Sequence, residues 1–207
     1  MKVNLVWVTP DAEKTISYCA RVSNPSNQDN PEYAKLLAYC IQHGHWSPFE
    51  MAGMCVEITT SRAIAQQIIR HRSFSFQEFS QRYAKVLSFE DVNFRTQDAK
   101  NRQSSINNLT MREKQFWFEK MLAHVGACQK LYEHMLDSGI AKECARMVLP
   151  LCTTTKLYMS GTMRSWIHYI NLRTGNGTQA EHTAIAKEIK VIFMEQCPAV
   201  AKALEWV

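Results

Sequence analysis

The chain has 207 residues, 46% of them hydrophobic and 21% charged, with only seven glycines and six prolines. That apolar share supports one sizeable core and excludes disorder over most of the length, because enough surface can be buried to offset the entropy of ordering. The formal charge of +5 is mild, compatible with small anions or with nucleic acid, and no apolar run approaches the ~18 residues a membrane span needs.

The opening segment, MKVNLVWVTPDAEK, has too short an apolar stretch for a signal peptide, and Pro10, Asp11 and Glu13 follow at once. A cytoplasmic protein is therefore expected. Residues 3–8 read as a short strand. Thr9, Pro10 and Asp11 carry the grammar of a helix start: a capping hydroxyl, Pro at the first position, an acid in the first turn. Asn30-Pro31-Glu32 repeats it, and Tyr33, Leu36, Leu37, Cys40 and Ile41 form an apolar stripe that Gly44 ends. In MCVEITTS, Met54, Val56 and Ile58 alternate with Glu57 and Thr59, the pattern of a half-buried strand. Ser61 then caps a predicted helix through Ala63, Ile64 and Ile68 towards Arg70. The stretch RHRSFSFQEFSQRY, residues 70–83, alternates Phe74 and Phe76 with Ser73, Ser75 and Gln77 and is expected to be extended. Residues 95–110 are polar and aperiodic, a loop with Arg95, Lys100 and Arg102 solvated. A long helix is predicted from Met111 to Ser138, with Phe116, Met121, Leu122, Leu131 and Met135 inward and Gly139 as its end. A short helix carries AKECARMVLP and stops at Pro150, and the β-branched run TTTKLYMS reads as a strand. Two last helices, TMRSWIHYINLR and QAEHTAIAKEIKVIFMEQ, flank the turn signal TGNG. The sum is a mixed α/β (α+β) chain, one domain over residues 1–207, with a small sheet and a helix-rich C-terminal half.

Seven cysteines, an odd number at wide spacings with no CxxC pair, support neither a disulfide framework nor a zinc site, and no metal is expected. The polar chemistry concentrates elsewhere. It lies in the 70–83 stretch led in by Gln67, in HGHWSPFE at 43–50, at Arg146, and in TMRSWIHYINLR at 162–173. On that last helix Arg164 and His168 share a face, and Arg173 lies about 140° round from His168. Arginine grips phosphates and planar oxyanions in bidentate fashion, which lysine cannot. Arg70, Arg72, Arg82, Arg146, Arg164 and Arg173, interspersed with Ser, Gln and His, point to small phosphorylated ligands. A nucleic-acid face more often shows a Lys/Arg stripe. The competing reading, a small basic nucleic-acid-binding protein using the interleaved phenylalanines, predicts salt-dependent polynucleotide binding and a colourless preparation.

Arg70-His71-Arg72, seven residues, then Ser80 resembles the signature of the flavin-dependent thymidylate synthases, the ThyX family. Ser75, Glu78, Arg82 and Tyr83 sit at matching offsets, and ARVSNP, HWSPFE, ECARMVLP and RSWIHYINLR resemble further family segments in the right order. The departures are Gln77 where Asn is common, Met51 where His often stands, and Thr162 where Asn is frequent. The resemblance implies a ThyX-like fold and a methyltransferase that converts dUMP to dTMP. Methylenetetrahydrofolate would supply the carbon, NADPH the reducing equivalents, and FAD would sit at the subunit interfaces of a homotetramer. It places Gln67, Ser80, Gln81, Arg82 and Arg146 at the nucleotide, with Arg70 and Glu78 near both ligands. Ser47, Arg72, His71, Thr162, Arg164, His168 and His45 fall at the flavin, His45 also near the folate, and Arg173 at the uracil ring as the catalytic group. No protein nucleophile is implied. Gln77 and Met51 also admit a degenerate flavoprotein that oxidises NADPH without making dTMP.

Overall fold

A four-stranded antiparallel sheet organises the chain, and the computed structural model describes residues 1–85 and 88–207. In chain order the elements are β1 (Lys2–Val8), α1 (Ala12–Ala20), α2 (Ala34–Gln42), β2 (Gly53–Ser61), α3 (Arg62–Ile68), β3 (Ser75–Glu78), β4 (Thr96–Gln97), β5 (Ser105–Ile106), α4 (Met111–Asp137), α5 (Lys142–Ala145), β6 (Thr154–Thr162), α6 (Met163–Thr174), α7 (Ala180–Gln196) and α8 (Pro198–Ala203). The sheet order is β1-β2-β6-β3, and β4 and β5 make a separate two-stranded ribbon.

Period-2 patterning builds the sheet. Met54, Val56 and Ile58 of β2 and Leu157 and Met159 of β6 are fully buried in one core with Trp166, Ile170, Ile185, Ile189 and Phe193. The opposite face is polar: Glu57 meets Lys156 at 3.1 Å and accepts from the Tyr158 hydroxyl at 2.9 Å. The buried Trp166 indole N–H donates to the Met54 carbonyl at 2.9 Å, which pins α6 to β2 without orphaning a polar group. Each central strand runs directly into a helix, β2 into α3 and β6 into α6. Gly53 pairs with Thr162 and Ser61 with Thr154, so the two helices leave opposite ends of the strand pair.

The expected mixed architecture holds, with corrections in detail. α1 starts at Ala12, because Asp11 adopts a left-handed φ of 47° and the Thr9 hydroxyl accepts from the Gly53 N–H at 2.9 Å instead of capping a helix. α2 starts at Ala34, after a turn in which the Asn30 carboxamide accepts from the Glu32 N–H at 2.8 Å. Gly44 ends that helix at φ 69°, as expected. The 95–110 segment contains the β4–β5 ribbon, whose turn is held by Asp98 and Gln97 side chains on backbone groups. Arg95 is not solvated: it pairs with Glu181 at 2.7 Å, the two side chains being 12% and 19% exposed. α4 has a Thr110–Glu113 capping box, but Phe116, Leu122 and Leu131 on it are about half exposed, and Val125 and Tyr132 are its buried residues. Periodicity fixes which residues share a face, not what lies against that face. α8 was not expected. Among the described residues no helix is long and apolar enough to cross a membrane.

Candidate active site

α3 ends where the Arg-rich segment begins, and the last turn of α6 carries Arg173. The two meet. Arg173 Nε donates to His71 Nε2 at 2.8 Å, joining residues 102 positions apart. An imidazole nitrogen that accepts from a guanidinium is unprotonated, so His71 is neutral with its proton on Nδ1. Burial, then the Arg173 charge, then His168 hold its pKa down at about 4. Downstream, the Phe74 ring stands edge-on to Trp166 at 4.6 Å and to Tyr169 at 5.8 Å. It lies across Gly161, where a Cβ would fall 2.5 Å from the ring, so that position requires glycine for close approach rather than for φ.

Gln67, Arg70, Gln103, Arg173, Thr178 and Gln179 line a cleft of about 580 Å³ that, among the described residues, no carboxylate enters. Among the described residues neither Arg70 nor Arg173 has an ion-pair partner. Two fully buried groups lie behind it. The Tyr169 hydroxyl is 3.0 Å from His182 Nε2, and His182 Nδ1 is 3.4 Å from Gln67 Oε1. Gln67 Nε2 donates on to Gln179 Oε1 at 2.6 Å. Burial, Arg173 and His71 keep His182 neutral, with a pKa of about 4, and burial raises that of Tyr169. The sequence reading singles out neither Tyr169 nor His182. The signal was a histidine on the same stripe as Ile185, Ala186 and Ile189.

A second cleft, about 560 Å³, is lined by Trp46, Glu50, Ser73, Arg164, Ser165 and His168 among others. Arg164 is engaged by Glu50 at 2.5 Å. Its donors, an indole, a guanidinium, an imidazole and two serine hydroxyls, fit a ligand that carries phosphates and a ring system. His45 and Ser47 are exposed either side of Trp46, and Arg72 is exposed beside Ser73 without a carboxylate partner among the described residues. Thr162 caps α6, its hydroxyl accepting from the Ser165 N–H at 3.2 Å. Glu78 Oε1 accepts from Arg62 at 3.0 Å and from Thr155 at 2.9 Å, so one carboxylate oxygen is held within the chain.

Ser80 and Arg82 line a third cleft, about 430 Å³, where Arg82 pairs with Glu143 at 3.0 Å in an exposed setting. Gln81 next to them is 4% exposed, and its Nε2 is buried with no hydrogen-bond partner among the described residues. A buried amide left so is costly and marks a missing acceptor. Arg146, half-buried just after α5, has no ion-pair partner among the described residues. Within one chain Gln67, Arg70 and Arg173 line the first cleft, Arg164 and His168 the second, and Ser80 and Arg82 the third, while His45, Ser47, His71, Arg72, Glu78, Gln81, Arg146 and Thr162 line none of these three. Burial pushes the Cys40, Cys55, Cys152 and Cys197 thiols up, Cys197 to about 12, so none of these four is poised as a thiolate.

Residues 4–199 match the family model described as thymidylate synthase complementing protein. A flavin-dependent thymidylate synthase of a Synechocystis species is 55% identical over 195 residues, 94% of this chain and 90% of that protein. A probable flavin-dependent thymidylate synthase of Paramecium bursaria Chlorella virus 1 is 53% identical over 198 residues, 95% of this chain and 92% of that protein. The crystal structure of the UMP/dUMP methylase PolB from Streptomyces cacaoi, bound with 5-Br dUMP, superposes with a TM-score of 0.87 at 25% identity, covering 99% of this chain and 94% of that one. Motif, fold and relatives agree, and the chain belongs to the flavin-dependent thymidylate synthase family.

Proposed function

We propose that the chain, as one catalytic domain over residues 1–207, methylates dUMP to dTMP with methylenetetrahydrofolate as carbon donor, NADPH as reductant and FAD as cofactor. The observation that carries this is the Arg173–His71 contact, which brings the Arg70-His71-Arg72 segment and the last turn of α6 to one anion-receptive cleft.

Arg70, Gln67 and Arg173 there present charge and N–H donors suited to a nucleotide, with Ser80, Gln81, Arg82, Arg146 and Glu78 as further nucleotide ligands. The orphaned Gln81 amide supports a ligand at that end. Arg173 is the catalytic group. With Nε engaged by His71, its two Nη atoms are left for the uracil ring, where a fixed guanidinium stabilises negative charge developing at N3 and O2. C5 becomes more nucleophilic as a result. A preorganised donor of this kind contributes roughly 10²- to 10³-fold in rate. Ser47, Arg72, Thr162, Arg164, His168 and His45, with Arg70, His71 and Glu78, would hold the flavin, the guanidinium groups at its pyrophosphate. When bound, FAD supplies the redox chemistry that NADPH feeds.

We infer a homotetramer with the flavin between subunits. Phe116, Trp117 and Leu131 leave α4 with an apolar face open to solvent in the lone chain, which supports burial against another copy. The seven free cysteines and the substrates fit a cytoplasmic enzyme. The test is tritium release from [5-³H]dUMP by purified protein with FAD, NADPH and methylenetetrahydrofolate. Release at a rate far above the folate-free control is expected; NADPH oxidation without release would overturn the synthase reading.

A further inference from the structure

The hydrogen-bonded chain behind the Arg70–Arg173 cleft has a direction, and the direction is legible. Tyr169 is fully buried, and its only hydrogen-bond partner among the described residues is His182 Nε2. If that nitrogen carried the proton, Tyr169 would accept, and its own O–H would be buried with nothing to receive it. A buried hydroxyl left so costs more than choosing the other imidazole tautomer. Tyr169 therefore donates, and His182 carries its proton on Nδ1. That N–H must find an acceptor, and the atom 3.4 Å away is Gln67 Oε1. The Gln67 amide is thus oriented with Nε2 forward, where it donates to Gln179 Oε1 at 2.6 Å. With its oxygen committed as acceptor, Gln179 has its own Nε2 left to offer.

We propose that Tyr169 and His182 are positioning residues that fix the polarity of the Gln67 and Gln179 amides. Gln67 and Gln179 then turn N–H donors toward the nucleotide cleft beside Arg70 and Arg173, a set that favours a ligand oxygen that can only accept, an ionised phosphate or a ring carbonyl. This rests on the reading of the cleft as the dUMP site. Among the described residues no carboxylate lines the cleft, and Arg70 and Arg173 add only donors; Gln103 and Thr178, which also line it, keep oxygens that can accept, so its donor character rests on the two guanidinium groups and the two oriented amides. His182 held neutral beside Arg173 is a further condition for the chain, since an imidazolium cannot accept from Tyr169. No conformational change is needed. The chain acts by excluding the flipped amide of Gln67, which would place an acceptor oxygen in the cleft against a phosphate.

A double-mutant cycle on the flavin-loaded enzyme tests it, with dUMP and deoxyuridine affinities measured by calorimetry. Tyr169→Phe keeps the ring that packs edge-on to His71 at 4.9 Å but removes the hydroxyl proton that sets the direction. It is expected to weaken dUMP binding about tenfold, the loss typical of one hydrogen bond to a charged group. In a Gln67→Met background the same change should have no further effect, because the chain acts through Gln67. A purely structural role for Tyr169 would instead give additive losses, and additivity overturns the proposal. So does an unchanged dUMP affinity in Tyr169→Phe. If dUMP weakens while deoxyuridine does not, the acceptor is the phosphate; if both weaken alike, it is the uracil carbonyl. Wild-type enzyme that binds no dUMP sinks the dUMP reading itself, which is distinguishable from failure of the positioning role.

Discussion

Lowering the pH from 7 to 5 should destabilise this protein through His182, and the size of the effect follows from its environment. The side chain is fully buried, and burial, Arg173 and His71 lower its pKa from 6.5 to about 4. In the unfolded chain the imidazole takes up a proton near pH 6.5, while the folded protein resists until about pH 4. Between those values the unfolded state holds the extra proton, so stability falls as pH falls. At pH 5 this amounts to about 2 kcal/mol relative to pH 7, from 1.36 kcal/mol per pKa unit. Below pH 4 the loss levels off near 3 kcal/mol, and above pH 6.5 the group contributes no pH dependence. The assay is urea unfolding at pH 7 and pH 5, at one protein concentration because assembly adds to apparent stability. His182→Asn removes the titration. Whatever its stability at pH 7, the variant should lose about 2 kcal/mol less than wild type between the two pH values. Equal losses in both proteins would refute the reasoning, because they would mean that His182 titrates normally in the folded state.

Arg173→Ala should cut tritium release by at least about 10²-fold while leaving the flavin bound, checked by product assay and visible absorbance. Loss of FAD from that variant would place Arg173 at the wrong ligand. Arg72→Ala should instead lower the flavin retained through gel filtration, and undiminished FAD content would contradict its placement. Gly161→Ala drives a methyl into the Phe74 ring, which also packs edge-on to Trp166 and Tyr169. A cost of about 1–3 kcal/mol is expected, seen as a lower thermal midpoint together with slower turnover. Glu181→Gln leaves the half-buried Arg95 charge without its carboxylate. Faster amide exchange across residues 92–107, ahead of global unfolding, is the expected sign.

What was readable in the sequence were features set by near neighbours. The alternation in β2 and the β-branched run of β6 gave the central strands, and Ser61 marked where β2 becomes α3, although its hydroxyl makes no capping bond; the cap on α6 is Thr162, which the sequence reading places inside the helix. The Arg70-His71-Arg72 segment stood out through its resemblance to a family signature, since its residue types alone left small phosphorylated ligands and nucleic acid both open. Features that depend on distant partners were not legible. Thr9 has the composition of a cap, yet its hydroxyl is claimed by Gly53, 44 positions on. Arg95 reads as solvated until α7 brings Glu181 to it from 86 positions away. His182 looks like one more buried residue on a stripe, and only the fold shows Tyr169 on one side of it and Gln67 on the other.

The neutrality of His71 is what lets Arg173 stand against it. Arg173 lies on one side of it, and His168, which lines the Arg164 cleft, is close enough to depress its pKa further. A protonated His71 would place another positive charge against Arg173 and could no longer accept its Nε–H, so the guanidinium would be repelled and unanchored together. Neutral, the imidazole accepts that N–H and keeps Arg173 in place while the charge remains free to face a ligand. A lysine or arginine at this position has no acceptor to offer at any accessible pH, and an asparagine is too short to bridge the same gap. Histidine satisfies both demands because burial and its cationic neighbours lower the same pKa, and that lowered pKa leaves Nε2 open as an acceptor for Arg173.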